Sequence, residues 1–125
     1  MARLYGADMD RVVAGVLAGG VVGATGRWAI GELGWPSSIT LLVVNTIGSF
    51  VLGVVVARWG DREHPLRLAL GVGLCGGFTT FSGVAVDIAA RLDAGDVVEG
   101  LSVAVASVVL GAAAFLTGRR QVGVS

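Results

Sequence analysis

Residues 73–83 read GLCGGFTTFSG and lie inside the third of four long apolar runs. Four glycines, two threonines and a serine in so short a stretch are poor material for a continuous helix. A segment that crosses a bilayer must satisfy its backbone hydrogen bonds internally, and a helix is the usual way. The stretch therefore has two readings. Gly73 and Gly77 form one GxxxG pair, which fits plain small-residue packing between helices. GG followed by TTFS fits better a helix unwound at its centre, which is tolerated where protein or a cavity surrounds the backbone. Carbonyls freed at such a break can coordinate a small cation, and half-helix N-termini can face an anion.

The rest of the chain supports a membrane setting. Of 125 residues, 54% are hydrophobic and only 14% charged, against about 25% charged in a soluble domain. Mean hydropathy is +0.83. The apolar runs cover roughly 12–31, 38–58, 66–90 and 97–117, each near the ~20 residues that span a bilayer as a helix. Polar stretches GELGWPSS, RWGDREHP and RLDAGD separate them. We read an all-α membrane protein of one four-helix domain over 1–125, its third helix broken at the centre. Residues 1–10 are polar and the run after them is too long for a removable leader. So small a bundle is too short to enclose a pathway alone, so an oligomer is expected. Gly15, Gly19 and Gly23 recur every fourth residue in the first run, and Ser107 and Gly111 keep that interval in the fourth. Such stripes bring helices close together.

Zero net charge offers no argument for nucleic acid. The single cysteine, Cys75, excludes an internal disulfide. All nine basic residues are arginines. Seven (Arg3, Arg11, Arg58, Arg62, Arg67, Arg119, Arg120) fall on the side of the termini, and two (Arg27, Arg91) on the other. The positive-inside rule places both termini in the cytoplasm of a multi-pass protein of the cell (plasma or inner) membrane.

Polar residues within the runs are few, and each has two readings. Asn45, in VNTIGSFVLG, is either interhelical glue or a pathway donor. Arg27 is either an anchor reaching the headgroups beside Trp28 or an anion attractor at a pore mouth. Asp87 is read as an interfacial residue paired with Arg91 four positions on. His64 is read as solvated. No nucleophile, paired carboxylate or Cys/His metal cluster appears, so an enzyme reading has no residues to stand on.

Three stretches together, GGVVGATGRW at 19–28, VNTIGSFVLG at 44–53 and GLCGGFTTFS at 73–82, resemble the CrcB/Fluc fluoride channels over nearly the whole chain. The resemblance implies antiparallel dual-topology dimers with two fluoride pores. It implies a structural sodium ion, not transported, held by backbone carbonyls that match Gly76 and Thr79. It implies a pore lined by Asn45, Phe81, Ser82 and Ser107, with Arg27 near a vestibule. The function it implies is passive escape of cytoplasmic fluoride. This chain departs from the family pattern at four lining positions, which here are Leu41, Gly83, Val84 and Val103. With the seven-to-two arginine bias, those departures lead to an expectation of a fixed-orientation subunit. Its partner would be a related, oppositely oriented chain. A homodimer with a modified pore is the alternative. A proton-coupled small multidrug exporter would need a carboxylate in the first helix, and residues 12–30 contain none. A non-transporting structural protein leaves Asn45 and the third-run break unexplained.

Overall fold

In a computed structural model the structure describes residues 2–60 and 64–122, with the side chains of residues 2–7 left aside. Arg62 and the side chain of Arg3, both counted in the arginine bias, lie outside what is described. The described residues are helical and contain no strand. Helix α1 spans Ala2–Gly31 and α2 spans Ser37–Trp59. The third membrane-length segment, Pro65–Asp93, is composite. It opens with one turn, α3 (Pro65–Arg67), runs through a π-helical stretch (Leu68–Cys75) and a second short turn, α4 (Gly76–Phe78), and resumes as α5 (Phe81–Asp93). Helix α6 spans Val97–Val122. Among the described residues, four helical segments are long and apolar enough to cross a membrane.

Helix ends follow local chemistry. Pro36 precedes α2 and cannot continue a helix toward its N-terminal side. His64 caps α3, its Nδ1 accepting the Leu66 amide at 3.2 Å, and Pro65 takes the first helical position, where a missing N–H does no harm. Gly95, at φ 86°, turns the chain from α5 to α6 in a conformation other residues rarely adopt. Helices α1 and α6 run past the apolar limits near residues 12 and 117, to Ala2 and Val122. Hydropathy marks where lipid ends, and a helix does not have to end there.

Packing divides the bundle into two layers. Helix α1 lies against the first half of the third span, and α2 lies against α6. After the break the third span changes partner, with α5 packing on α6 and α2 and making no contact with α1. Missing side chains permit the first layer. A Cβ on Gly23 would land on the Leu74 carbonyl oxygen, and one on Gly77 on that of Gly20. In the second layer Gly53 meets the Phe115 backbone and Gly118 that of Phe50 in the same manner. The buried apolar core is thin, consisting of Val44, Val55, Cys75, Val84 and Val103. Only 6% to 22% of each spanning stretch is buried within the chain, so most of the apolar surface faces lipid or another protein.

Candidate functional site

The centre of the third span is where helical hydrogen bonding lapses. Thr79 (φ −82°, ψ 159°) and Thr80 (φ −147°, ψ 117°) are extended between α4 and α5. Backbone groups released there would each cost free energy if left unpaired away from water. Side chains pair several of them. Asn45 of α2 reaches Thr80 with both ends of its carboxamide: Nδ2 donates to the Thr80 carbonyl at 3.0 Å, and Oδ1 accepts the Thr80 amide at 2.8 Å. Arg27 of α1 donates from Nη1 to the Thr79 carbonyl at 2.9 Å. The Cys75 carbonyl accepts the amide and the hydroxyl of Thr79, each at 2.9 Å. Thr80 then restarts the helix, its Oγ1 accepting the Gly83 amide at 3.0 Å as an N-cap.

The Gly76 carbonyl is left without its helical donor. The Thr80 amide, the natural helical donor to Gly76, goes to Asn45. Nothing lies within 4 Å of the position a Gly76 Cβ would take. The bare face of Gly76 looks into a groove of about 460 Å³ between α2, the third span and α6. Asn45, Gly76, Thr79, Phe81 and Ser107 all line it, which gathers five of the seven site residues predicted above. Ser107 has a buried hydroxyl with no hydrogen-bond partner, a polar atom left over inside an apolar wall. One amide hydrogen of Asn45 is also unused, since Nδ2 has two and Thr80 takes one. The Phe81 ring is 89% exposed, so it stands away from its own chain. Ser82 is exposed beside the break, its Oγ 3.3 Å from that of Thr80, and does not line the groove. Arg27 is half-buried against the break, rather than wholly turned out toward the headgroups with the exposed Trp28.

The four unusual positions are inward. Val84 and Val103 belong to the buried core. A Cβ on Gly83 would come within 2.8 Å of Leu41 Cδ2 and 2.9 Å of Thr80 Cγ2. Leu41 thus fills the space that Gly83 leaves free. The two residues share one packing site between α2 and α5.

A second polar cluster lies toward the end of the bundle where α2 and α6 begin. The Asp87 carboxylate accepts from the Ser37 hydroxyl, from Ser38 at 3.1 Å and from Arg91 Nε at 2.9 Å. Arg91 also donates to Ser38 and pairs with Glu99 of α6. The Asp87–Arg91 pairing follows from four-residue spacing. The serines and Glu99 come from distant parts of the chain, and no local sequence signal points to them. The same holds for Arg27 with Thr79 and Asn45 with Thr80, which are 52 and 35 residues apart. Among the described residues no group of three or more His, Cys, Asp or Glu could hold a metal. A cation at the break would rely on backbone oxygen, and the stripped Gly76 carbonyl is a donor of the type a hard cation takes.

Comparisons with known proteins place this arrangement. Residues 14–119 match the family model of the CrcB-like protein, Camphor Resistance (CrcB). A protein named fluoride-specific ion channel FluC 1 from Rhodococcus jostii (strain RHA1) is 46% identical over 87 residues, covering 70% of this chain and 68% of that one. Fluoride-specific ion channel FluC from Rhizobium johnstonii is 38% identical over 111 residues, covering 82% of this chain and 89% of that one. Fluoride-specific ion channel FluC 2 from Leifsonia xyli subsp. xyli is 38% identical over 113 residues, with 82% and 77% covered. Since the match takes in both helical layers and the groove between them, the chain belongs to the CrcB-like family.

Proposed function

We propose that this protein is a subunit of a fluoride-specific channel of the cell membrane, through which cytoplasmic fluoride escapes down its gradient. The observation that carries the reading is the groove beside the break, where Asn45, Phe81 and Ser107 share one wall, in a chain whose relatives are named fluoride channels. Fluoride is small and strongly hydrated, so a pathway has to replace its water shell with donors. The spare Asn45 amide hydrogen, the unpartnered Ser107 hydroxyl and the electropositive edge of Phe81 are such donors. Ser82, just outside the groove, extends the polar track.

The groove is open along one side and Phe81 projects out of it, so a second chain is needed to close the wall. Our reading is an antiparallel pair. The arginine bias holds this subunit with both termini in the cytoplasm, and a related chain of opposite orientation completes the pore. Relatives whose names carry the numerals 1 and 2 accord with paired subunits. The broken third span gives the pair its centre, where the Gly76 and Thr79 carbonyls hold a structural sodium ion that is not transported. When bound, that ion supplies positive charge for freed carbonyls and a link between the subunits.

Complementation tests the function. In bacteria lacking their own fluoride export, the gene expressed with its genomic neighbours is expected to restore growth in millimolar fluoride. Failure to restore growth, with the protein present in the membrane, would count against a channel.

A further inference from the structure

We propose that Arg27 and the central cation compete for one oxygen, the carbonyl of Thr79. This rests on the sodium reading above. Carbonyls released where the third span breaks have different fates. That of Gly76 has lost its helical donor to Asn45, and that of Thr79 already accepts from the Arg27 guanidinium at 2.9 Å. Arg27 is half-buried within the first span, and among the described residues its one hydrogen bond goes to that carbonyl. The ion pairs among the described residues belong to Arg91, and none of them neutralises Arg27.

The break therefore already holds one positive charge in the lone chain. The guanidinium satisfies an oxygen that would otherwise lie unpaired in an apolar setting. A carbonyl oxygen has two lone pairs, so geometry alone permits a second partner. Electrostatics opposes it. A cation on the same oxygen lies within several ångströms of the guanidinium, in surroundings that screen poorly. Sodium and Arg27 thus exclude or weaken one another. In this chain cation binding requires the Arg27 side chain to leave Thr79, and the exposed surface around Trp28 gives it somewhere to go. Arg27 serves as a built-in counter-charge that stabilises the break before a cation arrives.

The full-length protein in detergent tests this by thermal unfolding. Sodium chloride is titrated against N-methylglucamine chloride at constant ionic strength, for the wild type, Arg27→Gln and Arg27→Lys. Arg27→Gln is expected to unfold at lower temperature without sodium. Its sodium midpoint should be lower than the wild type's by about tenfold or more, since the repelling charge is gone. Arg27→Lys keeps the charge and should keep a midpoint near the wild type's. If Arg27→Gln does not fold, the wild type still reports through the nitrogen-15 side-chain resonance of Arg27. That resonance should shift with sodium at the same midpoint as the thermal stabilisation. Stabilisation by sodium with equal midpoints, or with an Arg27 resonance that stays still, overturns the competition and leaves the sodium reading standing. No stabilisation by sodium in any form overturns both.

Discussion

At Asn45 a single carboxamide bonds both the amide and the carbonyl of Thr80. Its structural role is set by the two bonds, and its second amide hydrogen remains for the groove. Asn45→Ala would leave the Thr80 amide unpaired, at about 1–3 kcal/mol. We expect a lower unfolding temperature and faster hydrogen exchange at the Thr80 amide. Unchanged exchange there would contradict the clamp. Asn45→Asp keeps the acceptor but turns a carboxylate oxygen toward the Thr80 carbonyl, so it should fold less well than Asn45→Ala. Leu41 and Gly83 make a second test at this scale. Gly83→Thr alone should be destabilised by about 1–3 kcal/mol through overpacking against Leu41. Combined with Leu41→Thr it should recover most of that loss, and a double variant no better than the single one would mean the two positions are independent.

The third span shows what a break does for an element. Its first half packs on α1 through glycines and its second half on α6, and the extended pair Thr79–Thr80 is where it changes sides. Two glycines separate packing from site. Gly23→Ala places a methyl group on the Leu74 carbonyl and should cost about 1–3 kcal/mol by thermal unfolding in detergent. Gly76→Ala meets nothing within its own chain, so the fold should keep its stability to within about 0.5 kcal/mol. A large loss at Gly76 in the lone chain would mean that the open face is misplaced. The Asp87–Arg91 cluster ties α5 to the starts of α2 and α6. Asp87→Ala and Arg91→Ala should each destabilise, with the double variant losing less than the sum. The four spans were legible from hydropathy because each apolar run has a bilayer's length, and the gathering of glycines and threonines marked where helix bonding would weaken. Partners of the freed groups were not legible, because they lie 35 and 52 residues away and only folding brings them together. Gly53 and Gly118 escaped notice as well, since each is a lone glycine whose close approach depends on which helix faces it.

Across the whole molecule, the surface is that of a subunit. Little of any span is buried, the groove is open, and Phe81 is largely exposed. The arginine bias predicts one orientation in the membrane. Cys75 is buried and is the only cysteine, so Cys75→Ser with a single cysteine placed at Gln121 gives a clean topology probe. A membrane-impermeant thiol reagent added to intact cells should leave position 121 unlabelled and label it only after the membrane is opened. Substantial labelling of intact cells would show dual insertion and favour a homodimer. Passage of fluoride along the groove beside the break can be measured on the protein itself. The most direct measurement is fluoride efflux from liposomes, read with a fluoride electrode. The protein should be purified from its native membrane under mild conditions so that any paired subunit stays with it. We predict rapid release of fluoride with chloride retained. Vesicles that hold folded protein yet keep fluoride as protein-free vesicles do would contradict the account.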